Sequence, residues 1–359
     1  MDRFERQYIL PGFGTTSQQK LRDSSVLILG AGGLGCPALL YLSAAGIGKI
    51  GIVDGDVVSV SNLNRQVLFG QDHIGLSKAE TAATILQEKY ADITLDAYPF
   101  FLNKENILEL ISAYDLIVDG SDNFPTRYLV NDACMIAEKP LVFGAIYQNE
   151  GQVAIFNAKD IDSIQYRDLY PTPPAAFEVP NCNETGVLGV LPGMIGTMMA
   201  AEAIKFLSGF GETLEDKMLF YNLLNHASYQ IQLSKNPDSE SLRPKSPQEL
   251  LQMDYEHFCG LDIQTDWESV IEITKRDNPS ILVDVREYGE EPELDELNYV
   301  QIPLDELENT SYPLEPYQQI FLFCQSGIRS LKAVNMLKKH YPDKMIQSIR
   351  GGIVEYFRN

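Results

Sequence analysis

The sequence predicts an α/β chain of two domains, a larger doubly wound one followed by a small α/β unit. Three observations lead there. A glycine-rich turn, Gly30-Ala31-Gly32-Gly33-Leu34-Gly35, joins an apolar β-rich run to an apolar helical one. Several buried-type strands end in polar residues, as the strands of site-bearing doubly wound sheets do. A polar stretch with three prolines, residues 234–248, then interrupts the pattern before it resumes on a smaller scale. The chain's 359 residues exceed what one hydrophobic core usually organises.

Taken in order, Ser25 to Leu29 is the first strand, and residues 36–45 form an apolar helix closed by Gly46. Residues 50–53 form a second strand ending at Asp54, and residues 115–118 a third ending at Asp119-Gly120-Ser121-Asp122-Asn123. Residues 141–145 and 152–156 are further strands. A proline-rich segment, 170–174, then runs to Asn181-Cys182-Asn183 and reads as a mobile loop. Residues 193–208 form an Ala- and Met-rich helix whose Met194, Met198 and Met199 belong to core or subunit contact rather than chemistry. The predicted domains are 1–234 and 259–359, with 235–258 as linker. Within the second, residues 281–285 and 320–323 are buried strands, and a helix runs from about Ser330 to His340.

A formal net charge of −22 opposes non-specific attraction to nucleic acid or anionic membranes, so neither is expected as a partner. No run of 18 apolar residues and no signal-peptide core appears, which makes a soluble, cytoplasmic protein the expectation. Five widely spaced cysteines, Cys36, Cys134, Cys182, Cys259 and Cys324, form no C-x-x-C pair, which argues against a disulfide framework and against a sequence-local zinc site.

Gly30, Gly32 and Gly35 between strand and helix let backbone approach phosphate and aim amides at it. Asp54, nineteen residues beyond Gly35, stands where a carboxylate accepts hydrogen bonds from ribose. A dinucleotide enzyme would show the same pieces. Two cations, Arg65 in Ser61-Asn62-Leu63-Asn64-Arg65-Gln66 and Lys78 at a helix start, suit a triphosphate better. Asp122 could hold Mg²⁺ between phosphate oxygens. Each also has a plain reading: Arg65 as a surface cation, Lys78 as a solvated helix residue, Asp122 as a helix cap.

The order and spacing of Gly30, Gly32, Gly33, Leu34 and Gly35, then Asp54 and Asp56, Asn62, Arg65 and Gln66, Lys78, and Asp122-Asn123 resemble the MoeB/ThiF family, relatives of ubiquitin-activating enzymes. The resemblance covers about residues 1–233, including Arg6-Gln7 and Cys182-x-x-x-Gly186-Val187. It implies a Rossmann-like ATP-binding adenylation domain. It also implies a homodimer that adenylates the C-terminal Gly-Gly of a ubiquitin-like sulfur carrier. Asp54 would then serve the ribose, Arg65 and Lys78 the phosphates, Asp122 a Mg²⁺ ion, and Arg6 the nucleotide of the neighbouring subunit. Carriers of the molybdopterin, thiamine and tRNA-thiolation pathways all fit this description. Many members bind structural zinc through two C-x-x-C pairs. Here Gln165-Tyr166-Arg167-Asp168 and Ser239-Glu240-Ser241-Leu242 stand in their places, so no structural zinc is expected and the loop 160–182 should be less tethered.

In the second domain, an apolar strand delivers Cys324 into the loop Gln325-Ser326-Gly327-Ile328-Arg329 ahead of a helix. Loop amides, the helix N-terminus and Arg329 would favour a thiolate or persulfide there. The loop resembles that of the rhodanese family, with residues 282–287, 302–304 and Gly351-Gly352-Ile353 matching the rest of a small α/β rhodanese domain. Between Glu287 and Ile302 the usual Gly-His-Ile is absent and the segment is acidic. The fusion implies carrier adenylation followed by attack of a Cys324 persulfide, loaded by a separate persulfide donor, to give a thiocarboxylate. Cys182 is the candidate second thiol. The competing reading is conjugation of another ubiquitin-like or peptide substrate through a Cys182 thioester, with the rhodanese domain as a binding module.

Overall fold

The protein is described here from a computed structural model, over residues 3–158, 163–174, 186–259, 263–274, 279–294, 297–309, 314–341 and 343–357. Cys182 lies outside these residues. The chain divides into two units, the first ending at Tyr255 and the second beginning at Glu256.

The first unit is built on an eight-stranded sheet. Five strands are parallel: β1 (Ser25–Leu29), β2 (Lys49–Val53), β3 (Thr94–Tyr98), β4 (Leu116–Asp119) and β5 (Leu141–Tyr147). The antiparallel β6 (Glu150–Phe156), β7 (Lys217–Asn222) and β8 (Ser228–Gln232) extend it. The order is β3-β2-β1-β4-β5-β6-β7-β8, so the connections change direction between β1 and β4. That reversal opens a crevice at the strand C-termini, and the glycine turn sits in it. β1, β2 and β4 are apolar because both faces of the sheet are covered there.

The Val190–Ser208 helix is long and apolar enough by composition to cross a membrane. It packs instead against β5, β6 and the Gly35–Ala45 helix, with Leu191, Ile195, Met199 and Ala203 fully buried, and is a core helix. The partly buried Met194 and Met198 pack against the same core.

Residues 235–255, expected as linker, fold onto the first unit. They carry the short helices Ser239–Leu242 and Pro247–Gln252, and Leu250 is fully buried. Polar contacts fasten them. Ser239 Oγ donates to Asp168 Oδ1 at 2.6 Å and the Asn236 amide to the same oxygen at 3.0 Å. Arg167, itself fully buried, forms a two-point pair with Asp132, both bonds 2.7 Å, and Tyr255 donates to the same carboxylate at 2.9 Å. The segment 163–172 is therefore tethered rather than loose. The residues that replace the two C-x-x-C pairs meet each other through the Asp168–Ser239 hydrogen bond.

The second unit has five parallel strands in the order β11-β10-β12-β13-β9: β9 (Gln264–Thr265), β10 (Ser280–Asp284), β11 (Val300–Gln301), β12 (Gln319–Phe323) and β13 (Met345–Ile349). Alternation fills both faces. Val283, Ile320 and Leu322 point into one cluster, while Leu282, Phe321 and Phe323 join Trp267 and Ile353 in the other. The sheet delivers Cys324 just beyond β12, ahead of the Ile328–His340 helix.

Candidate active sites

The first site is a cavity of about 500 Å³ at the β1/β4 reversal. Gly30 turns the chain with φ +88°, a conformation an L side chain rarely adopts. A Cβ on Gly35 would lie 1.8 Å from the Gly30 oxygen, so that glycine serves the close approach of turn and helix. Gly30, Gly32, Gly33, Asp54, Asp56, Arg65, Gln66, Lys78, Asp122 and Asn123 all line the cavity. Gly35 and Asn62 do not: Gly35 is a packing residue, and Asn62 offers its carbonyl to the amides of Arg65 and Gln66. The exposed Arg6, in the Glu5–Tyr8 helix, is also absent from the cavity wall of its own chain.

Asp54 is fixed by the amides of Ala31 and Asp56 at 2.8 and 2.9 Å. Burial pushes its carboxyl above the ordinary carboxylate value, and the Asp56 amide, the Lys78 charge and the Ala31 amide pull back. Lys78 is no solvated helix residue: its side chain is 7% exposed and its ammonium meets Asp56 at 2.8 Å. Arg65 is held by the Ser61 carbonyl at 2.9 Å and Asn64 Oδ1 at 3.1 Å. Asn123, not Asp122, caps the following helix, accepting from the Thr126 amide at 3.0 Å. Asp122 is thereby left exposed on the cavity wall.

Sequence reasoning missed Arg127, which lines the same cavity one turn beyond the cap and donates to the Ser121 carbonyl at 3.3 Å. Its position four residues after Asn123 was the available signal. Phe100, Phe101 and Leu102 also line the cavity, and nothing local announces them.

The second site surrounds Cys324, which is 1% exposed. Its sulfur accepts from the Gly327 amide at 3.2 Å and from Ser330 Oγ at 3.7 Å. Gly352 supports the loop from below: a Cβ there would lie 2.2 Å from the Cys324 oxygen, while the Ile353 amide donates to that oxygen at 2.8 Å. Trp267 Nε1 in turn donates to the Gly352 carbonyl at 2.7 Å. Arg286 is bound at two points by Asp284, and Arg329 by Glu290. Arg329 is thus shared with a carboxylate that the sequence reading did not assign to the site.

Glycine turn, ribose-type carboxylate and paired cations at a strand-order reversal define a nucleotide-binding α/β enzyme. The profile of the ThiF family matches residues 4–242. The chain is 48% identical over 264 residues to the sulfur carrier protein adenylyltransferase of Thermus thermophilus, spanning 73% of this chain and 97% of that protein. It is 39% identical over 395 residues to the adenylyltransferase and sulfurtransferase MOCS3 of Xenopus laevis, spanning 99% of this chain and 86% of that one. Escherichia coli MccB, solved with ATP, shares the fold at a TM-score of 0.57 and 21% identity, over 66% of this chain and 73% of its own. The chain belongs to the ThiF family, and over nearly its whole length to the branch that joins an adenylyltransferase to a sulfurtransferase.

Proposed function

We propose that the chain adenylates the C-terminal glycine of a ubiquitin-like sulfur carrier with ATP and Mg²⁺, and that a persulfide on Cys324 then converts the adenylate to a thiocarboxylate. The observation that carries the reading is the gathering of Asp54, Arg65, Lys78 and Asp122 around one cavity. Gln66 Oε1, buried there, has no hydrogen-bond partner among the described residues, which suits a site built to receive a ligand.

In this mechanism Asp54 accepts from ribose hydroxyls, and Arg65 and Lys78 offset phosphate charge as the carrier carboxylate attacks the α-phosphate and pyrophosphate leaves. Asp122 is the oxygen ligand for Mg²⁺, which when bound neutralises phosphate oxygens. The outer sulfur of a Cys324 persulfide then attacks the acyl carbon and AMP departs; a second thiol, for which Cys182 is the candidate, attacks the Cys324 sulfur, so that the thiocarboxylate leaves and a disulfide to Cys324 forms. A thiol reductant from solution opens that disulfide, and a separate persulfide donor reloads Cys324.

The working form is a cytoplasmic homodimer in which Arg6 reaches the partner's nucleotide. Exposed apolar side chains support subunit contact: Ile9 and Leu10 follow Arg6, and Val60 and Val67 flank Arg65 in the chain. The test is intact-mass analysis of a Gly-Gly carrier after incubation with the enzyme, ATP and a sulfur donor. Exchange of one oxygen for sulfur is expected. A protein-sized adduct favours conjugation, and an unaltered carrier defeats the reading.

A further inference from the structure

The acidic segment beyond Glu287 takes part in the sulfur site through Glu290. Its two oxygens accept from Arg329 Nη1 and Nη2 at 2.5 and 2.7 Å, with the side chains about equally exposed at 30% and 31%. The hydrogen bonds from Arg329 hold the Glu290 carboxyl down at about 2, so it is charged wherever a thiolate works. Hydrogen bonding to Glu290 raises the Arg329 guanidinium above its ordinary value, with the Cys324 sulfur a smaller cause in the same direction. The other arginine beside the loop, Arg286, is 1% exposed and bound to Asp284, and it also donates to the Pro292 carbonyl and to Gln325. Both arginines of the site are therefore occupied by carboxylates, and Glu287, Glu291 and Glu293 stand exposed nearby in the chain.

We infer that Glu290 sets the donor specificity of this site: by holding Arg329 it disfavours dianionic thiosulfate and reserves Cys324 for sulfur delivered as a persulfide on a thiol carrier. The inference rests on the reading of Cys324 as the sulfur acceptor. Thiosulfate brings two negative charges and its sulfite leaving group departs with the same two, so it needs a cation that a neighbouring carboxylate has not already taken. A thiol persulfide needs none. The Cys324 thiolate attacks the outer sulfur of R–S–SH, the S–S bond breaks, and its electron pair leaves on the inner sulfur, which takes up the proton given by the outer sulfur to depart as R–SH and leaves a Cys324 persulfide anion. One sulfane sulfur moves and no external oxidant or reductant takes part. A carboxylate held at two points on Arg329 thus rejects one donor class without a steric barrier.

The experiment uses the full chain and two donors, thiosulfate and the persulfide of uncharged 2-mercaptoethanol, with formation of the Cys324 persulfide followed by mass against donor concentration. Glu290→Gln is expected to raise the efficiency with thiosulfate relative to the persulfide donor by about tenfold, mainly through KM. Glu290→Asp, which keeps the charge, should retain the wild-type preference. An unchanged or lowered ratio in Glu290→Gln, or an equal rise in Glu290→Asp, overturns the inference while leaving Cys324 as acceptor. If the wild-type enzyme forms no Cys324 persulfide with either donor, the underlying reading fails and this one falls with it.

Discussion

The Lys78 ammonium is buried against the cavity wall 2.8 Å from Asp56, whose own side chain is 56% exposed. Among the described residues the cation has one ion-pair partner, and that partner faces solvent. Phosphate oxygens can therefore share the ammonium with Asp56 without leaving it unpaired in the wall. Lys78→Met should lower carrier-dependent ATP–pyrophosphate exchange by about 10²-fold or more, as loss of a transition-state cation does. Exchange within a few-fold of wild type would remove Lys78 from the chemistry.

Two substitutions should separate the activities. Asp122→Ala is expected to abolish ATP–pyrophosphate exchange, since the carboxylate that Asn123 frees from capping is the proposed metal ligand. Cys324→Ala should leave exchange intact while removing sulfur transfer and thiocarboxylate formation. Loss of exchange in Cys324→Ala would show that the two chemistries are not independent.

Arg6 offers a test of composite sites. Arg6→Ala and Asp122→Ala chains should each be inactive in exchange, yet their mixture should regain up to about a quarter of wild-type activity, because a mixed dimer holds one site with both residues. Subunit exchange demonstrated without any recovery places Arg6 outside the reaction of its neighbour.

The fastening of residues 235–255 predicts a protein that holds its fold without metal. Elemental analysis should find no stoichiometric zinc, and a chelator should leave the unfolding curve unmoved. Asp132→Ala, which strands the buried Arg167, should destabilise the first unit by about 3–5 kcal/mol in urea. One zinc per chain, or a variant as stable as wild type, would contradict this.

Acid stability carries a signature of the Glu290–Arg329 pair. The Glu290 carboxyl lies at about 2 in the folded protein against an ordinary 4.5. Its contribution is complete above 4.5 and is lost as the pH falls through about 2. Trp267, the sole tryptophan, lies in the second unit's core, so its fluorescence follows that unit. Between wild type and Glu290→Gln, the stability gap should be greatest above pH 4.5 and close toward pH 2. A gap independent of pH would mean that the pair is not what the substitution removed.

The central strands β1, β2 and β4 were legible because burial on both faces makes them uniformly apolar. The edge strands β3 and β8 were not, since Thr94–Tyr98 carries Asp96 and Ser228–Gln232 is mostly exposed polar residues. Residues 235–255 misled for a related reason. Few of them are apolar, and what anchors them is a set of hydrogen bonds reaching back to Asp132 and Asp168, which local composition does not contain. The glycine turn followed from its place between strand and helix, and the rest of the nucleotide site from the order and spacing of Asp54, Arg65, Lys78 and Asp122 along the chain and the resemblance that they carry. Glu290 escaped because its partner Arg329 is 39 residues away.

The Asp168–Ser239 bond also bears on what this chain can tolerate during its own work. Sulfane sulfur and the oxidants that accompany it modify thiolates, and a zinc site of four cysteines placed in an enzyme that generates persulfides would be a standing target. Hydroxyl, amide and carboxylate give such species nothing to react with. The joint between Asp168 and Ser239 is chemically deaf to the sulfur species proposed for Cys324, so the adenylating unit can keep its shape while sulfur traffic passes through the same molecule.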